Sequence, residues 1–148
     1  MSLKIIHTAD WHLGQTFFGY DRTEEHGVFL NWLAEEIRQK EIDALIIAGD
    51  VFDVSNPSAA SQSMYYQFIY RVTAENPYLQ IVIVAGNHDS AARLESPIPL
   101  LEELNTSIVG IIRRTESGEI DFDSLVIPLY NKEKKREGWG LAVPYLRQ

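Results

Sequence analysis

The stretch "LQIVIVAGNHDS", residues 79–90, decides the fold. Its β-branched run Ile81-Val82-Ile83-Val84 passes almost without a spacer into Gly86 and four polar side chains, Asn87, His88, Asp89 and Ser90. A strand that is apolar at every position is covered on both faces, which is how the strands of a parallel sheet read. The same design recurs upstream in "IDALIIAGD" (42–50) and "LKIIHTAD" (3–10), each apolar and each ending in polar residues. Two segments of helical period lie between them. In "RTEEHGVFLNWLAEEIRQKE" (22–41), Phe29, Leu30, Leu33 and Ile37 share one face. In "NPSAASQSMYYQFIYRVTAENP" (56–77), Pro57 suits a first turn and Asn76-Pro77 ends the helix. Strand, helix, strand, helix, strand predicts βαβ units and an α/β fold with a parallel sheet.

Further along, "PLLEELN" (99–105) predicts a short helix and "TSIVGIIRR" (106–114) a fourth strand. Beyond 115 the pattern changes. "GEIDFDSLVIPLYN", "KEKKREG" and "WGLAVPYL" together predict an antiparallel hairpin with a charged loop. The chain stops soon after that apolar strand, so residues 1–148 are expected to be the N-terminal portion of a larger domain. "MSL" has the form of a cloning remnant at Ser2-Leu3.

A length of 148 residues supports one domain with a sizeable core. There is no cysteine, so disulfides and thiolate metal sites are excluded. That composition, with no signal peptide and no apolar run of the roughly 20 residues a membrane helix needs, points to the cytoplasm and away from a membrane. The net charge of −8 argues against nucleic-acid binding by phosphate neutralisation alone. If DNA is the substrate, cations, a local patch or a partner must supply the attraction.

Ligands of parallel sheets bind beyond the carboxyl ends of the strands. There the three strands deliver Asp10-Trp11-His12, then Gly49-Asp50 with Asp53, then Gly86-Asn87-His88-Asp89. Asp10 and His12 are two apart, so extended backbone points both the same way. Carboxylate, imidazole and amide oxygen are ligands for divalent metals, and a carboxylate such as Asp50 has two oxygens with which to bridge a pair. Taken singly, each residue has a plainer reading. Aspartates cap helices, and Asn-His-Asp can hold its own turn. Their joint occurrence at three successive strand ends carries the metal reading.

In this order "D-x-H", "GDxxD" and "GNHD" resemble the calcineurin-like metallophosphoesterase superfamily. "HTADWHLGQ", "AGDVFD", "AGNHDS", "VIPL" and "AVPYLR" resemble its SbcD branch, the bacterial double-strand-break nuclease subunits. The resemblance implies a four-layered α/β/β/α sandwich, of which this chain would supply the first α/β pair and part of the second sheet. It also implies two divalent ions, manganese or magnesium. Asp10 and His12 would hold one, Asp50 would bridge, Asn87 would hold the second, His88 would face the scissile phosphate, and Asp53 would orient His88 by hydrogen bonding. DNA would be the substrate, an SbcC-type ATPase the partner, and a homodimer the parent assembly. Two departures matter. After Asp53 comes "VSNPS" rather than the arginine of phosphoprotein phosphatases. A further His and a "GHxH" element are also missing, since the histidines are His7, His12, His26 and His88. The resemblance therefore implies an incomplete site, weak metal binding and little nuclease activity for this chain alone, and exposed apolar surface that favours association. A phosphodiesterase of small diesters and a non-catalytic fragment are the competing readings.

Other features are expected to be structural. "KEKKRE" (132–137) reads as a solvated tip, His26 as a helix residue, and Arg93 as exposed on a helix. The aromatic block Tyr65–Tyr70 reads as core plus interface. "QTFFGY" (15–20) reads equally as a packed loop or as a substrate-reaching one.

Overall fold

The structure, a computed structural model, describes residues 2–146; Arg147, the last residue of "AVPYLR", lies outside the described residues. Four strands form a parallel sheet in the order β1 (Ile5–Thr8), β4 (Ala44–Ala48), β5 (Gln80–Val84), β6 (Thr106–Val109). Between β1 and β4 come the short pair β2 (Thr16–Phe17) and β3 (Tyr20–Asp21), then helix α1 (Thr23–Lys40). Helix α2 (Ala59–Glu75) links β4 to β5, and the short helices α3 (Ala91–Glu95) and α4 (Ile98–Leu101) precede β6. The hairpin β7 (Val126–Tyr130) and β8 (Arg136–Leu141) is antiparallel, as its composition predicts.

Each helix sits where its sequence allows. α1 ends at Glu41 in the left-handed conformation, whose amide returns to the Ile37 and Arg38 carbonyls. α2 is capped by the Ser58 hydroxyl, which accepts the Ser61 amide at 3.1 Å. Pro57 therefore lies before the cap, not in the first turn as its position suggests. "TSIVGIIRR" is a strand only as far as Val109, and β8 begins at Arg136 within the charged segment. β1 is also less covered than a continuous apolar run predicts. It is a sheet edge, and Ile5 is 43% exposed.

Two cores flank the sheet. On the helix side, Leu30, Leu33 and Ile37 of α1 and Phe68, Ile69 and Val72 of α2 meet Ile81 and Ile83. Full burial of each such side chain stabilises by about 1.5–3 kcal/mol. On the other side, Ala44, Val82 and Val109 pack against Leu125, Leu129 and Ala142 of the hairpin region. Polar side chains staple that hairpin down. The buried Asp43 carboxylate accepts the Lys4 amide at 2.8 Å and the Lys132 amide at 2.9 Å. The Gln80 amide group donates to the Pro128 carbonyl and accepts the Tyr130 amide. The outer face of β8 leaves Trp139 and Leu141 largely exposed. The result is helices, parallel sheet and hairpin in successive layers, with the carboxyl strand ends open at one rim.

Candidate metal centre

Past the sheet, the loops after β1 and β4 stay together. The Asp10 amide donates to the Gly49 carbonyl at 3.1 Å, His12 to Asp50 at 2.9 Å, and Leu13 to Val51 at 2.9 Å. The backbone turns sharply there and is not extended from Asp10 to His12, as their spacing suggests; β1 ends at Thr8. Asp10, His12 and Asp50 all have positive φ, at 57°, 48° and 49°. A residue held in this region costs on the order of 1–3 kcal/mol and persists where the surroundings over-determine it. Here three of them converge on one point, and all three are proposed ligands.

The loop after β5 presses against the loop after β4. A Cβ on Gly86 would lie 2.1 Å from Asp50 Oδ1, so this approach needs glycine. Asp50 Oδ1 accepts the His88 amide at 2.9 Å. Asp89 fixes the pair of loops from beneath. Its carboxylate, 1% exposed, accepts the amides of Val51 (3.2 Å), Phe52 (3.0 Å) and Gly86 (2.9 Å). In sequence Asp89 belongs to its own turn; its reach into the β4 loop is visible only in three dimensions.

At the rim, His12 Nε2 lies 3.9 Å from both Asp10 Oδ1 and Asp50 Oδ2. That is too long for hydrogen bonds. It suits donors that share a cation, and these three ligand atoms all lie within 4.8 Å of one another. The other nitrogen, Nδ1, is buried and has no aligned hydrogen-bond partner among the described residues, though Asp53 Oδ1 is 3.2 Å away. A carboxylate beside the far nitrogen is the usual support for a metal-binding imidazole. The residues present thus fit a divalent ion. His12, Asp53 and His88 make a second cluster of the same tightness.

Asp53 does touch His88, but through its backbone. His88 Nδ1 is 2.7 Å from the Asp53 carbonyl oxygen, while the Asp53 carboxylate faces His12. That carbonyl holds the His88 imidazole above its ordinary pKa, helped by the charges of Asp50, Asp53 and Asp89 and opposed by desolvation. The His88 and His12 rings meet edge to face at 4.8 Å. Asn87 is exposed and lines, with Asp10, Asp50 and His7, a cavity of about 490 Å³ between the sheet and the hairpin. The fold brings all six predicted residues to one rim. His7 joins that cavity from β1, which its place inside a strand does not suggest.

His26 is buried in α1 and Arg93 is exposed in α3. Tyr65, Phe68 and Ile69 are core, whereas Tyr70 is 66% exposed. Residues 132–135 of "KEKKRE" turn at the hairpin tip, and Arg136 and Glu137 already belong to β8. "QTFFGY" is not a packed loop: residues 16–21 form a two-stranded ribbon with exposed aromatic rings.

The chain is 44% identical to the SbcD component of the SbcCD nuclease of Rhodobacter capsulatus, over 99% of its own length and 36% of that protein. It is 41% identical to the corresponding Escherichia coli K12 protein and 37% to that of Bacillus subtilis, each over 73% of this chain. It spans about a third or less of the length of these curated relatives. A crystal structure of Pseudomonas putida nuclease MPE aligns with 71% of this chain and 46% of that one, at 20% identity and a TM-score of 0.44. Residues 3–136 match the calcineurin-like phosphoesterase family, and with the metal-ligand donors gathered at three strand ends, the chain belongs to that family.

Proposed function

We propose that this chain carries the first half of the dinuclear centre of a metal-dependent DNA nuclease of the SbcCD type. One observation carries the metal part of the reading. His12 Nε2 stands 3.9 Å from two carboxylates while its buried Nδ1 is backed by Asp53. Asp10, His12 and Asp50 would hold one ion, and Asp50 with Asn87 would share the second. Two divalent ions, manganese or magnesium, supply an activated water and shield the phosphodiester's charge when bound. They also offset the acidity of the chain toward DNA.

The protein's own groups do the rest. Asp53 sets its carboxylate beside the His12 ring and holds the His88 ring through its carbonyl. His88, its cationic form favoured, is exposed where it can give a proton to the leaving oxygen or neutralise charge on the phosphate. Asp89 and Gly86 keep the two loops in register. In the parent, DNA ends and hairpins are the substrate, an SbcC-type ATPase is the partner, the assembly is a homodimer, and the compartment is the cytoplasm. These attributions rest on the resemblance to SbcD proteins. No described helix is long and apolar enough to cross a membrane.

With two histidines at the rim and further donors expected from outside these 148 residues, the chain alone binds metal weakly and cleaves little DNA. Manganese titration followed by calorimetry, with Asp10→Ala as comparison, tests the site. Identical isotherms would remove it. Strong manganese-dependent nuclease activity of the 148-residue chain, abolished by Asp50→Ala, would overturn the weak-activity reading. Hydrolysis of duplex ends against cyclic nucleotides by the full-length parent separates a nuclease from a small-diester phosphodiesterase.

A further inference from the structure

On the flank of the molecule, the β2–β3 ribbon leans beside α1 and encloses a groove of about 1080 Å³ that the proposed hydrolysis does not use. Phe17, Tyr20, Val28 and Trp32 line it, and they are 62%, 76%, 70% and 56% exposed. So many large apolar side chains side by side in water mark a contact surface rather than chance. The ribbon turns through Phe18-Gly19, with φ of 49° and 82°. Two consecutive positive φ values are the requirement of a tight hairpin turn that favours Asn-Gly. Phenylalanine is a poor choice there, since a bulky L side chain is strained in this left-handed conformation. Phe18 is also 89% exposed, so it returns nothing to the chain's own core. Its ring is instead held edge-on against Phe17, which lines the groove.

We propose that this groove docks a protein segment that is apolar on one side and rich in lysine or arginine. The rim's charge selects that occupant. Asp21, Glu24 and Glu25 border the groove, and the one cation among its described lining residues, Arg22, is tied to Gln15 at 2.7 Å. Aromatic rings could stack on nucleic-acid bases, but three carboxylates would repel the phosphates. Anionic lipid is disfavoured for the same reason. A second copy would set the same acidic rim against itself in a chain of net charge −8.

An 18-residue amphipathic leucine–lysine peptide bearing a fluorophore is the probe, titrated against the full 148-residue chain. Charge reversal at Glu24→Lys with Glu25→Lys should weaken binding by about tenfold or more, and Phe18→Asn by about tenfold through loss of the ring that holds the groove-lining Phe17. Phe18→Asn suits the turn better than the native residue, so unfolding cannot explain its loss. Reversal at the distant Glu102→Lys with Glu103→Lys should change little. Equal losses from both reversals would show attraction to net charge only and overturn the proposal. Three other results would overturn it in favour of another occupant: single-stranded oligonucleotide binding, phosphatidylglycerol-vesicle binding, or self-association, each abolished by Phe18→Asn while peptide binding persists.

Discussion

Asp89 offers a sharp test of how the two metal-bearing loops are held. Its buried carboxylate accepts three amides, two on Oδ2 from Val51 and Gly86 and one on Oδ1 from Phe52. Hydrogen bonds to a charged group contribute about 1.5–3 kcal/mol each, and donors left unpaired in the interior cost a similar amount. In Asp89→Asn the remaining oxygen can keep the Oδ2 pair, but the new amide nitrogen then faces the Phe52 amide, donor against donor. One bond and the charge assistance to the others are lost, for about 2–3 kcal/mol. Asp89→Ala orphans all three amides and should cost about 3–5 kcal/mol, a large part of the stability of a domain this size. Urea unfolding followed by circular dichroism measures the difference, and near-native slopes would show that the folded state stays compact. For this chain length, the Asn variant's melting temperature should fall by roughly 4–12 °C. Hydrogen exchange should speed up selectively at Val51, Phe52 and Gly86. A change below about 0.5 kcal/mol for Asn, or unaltered protection at those amides, would refute the clamp.

Gly86→Ala drives a methyl group into the Asp50 carboxylate, so manganese affinity should drop even if the chain folds; unchanged titration would mean the loops separate freely. Burial, with Arg22 adding to it, holds the His26 imidazole below its ordinary pKa. The folded state then resists a proton that the unfolded chain accepts, so the His26 contribution is complete above about pH 6.5 and is lost as the pH falls through the lower folded value. His26→Leu should flatten stability between about pH 7 and 5, and parallel pH curves for the two proteins would contradict this. Tyr65 is core, its hydroxyl has no hydrogen-bond partner among the described residues, and burial pushes its pKa up. Tyr65→Phe should leave stability unchanged or raise it by up to about 1 kcal/mol, whereas a clear loss would reveal a partner for that hydroxyl.

The local residue pattern determined the layer order around the parallel sheet. Runs such as Ile81–Val84 can be covered only on both faces, and helices of 3.6-residue period between such runs supply that cover. It also determined which residues gather at the rim, because every parallel strand ends on the same side and Asp10, Asp50 and Asn87 follow directly from three of them. How they are held depends on contacts between loops far apart in sequence. The Asp89 carboxylate reaches 37 and 38 residues back along the chain to bind amides, and no local pattern encodes that distance. The same holds for Asp53, whose carboxylate and carbonyl serve two different histidines. Edge position, too, is a property of the assembled sheet, so β1 reads as buried in sequence but is half open in space. Side-chain type and spacing are local facts. Which oxygen meets which donor depends on loops that touch only after the sheet has formed.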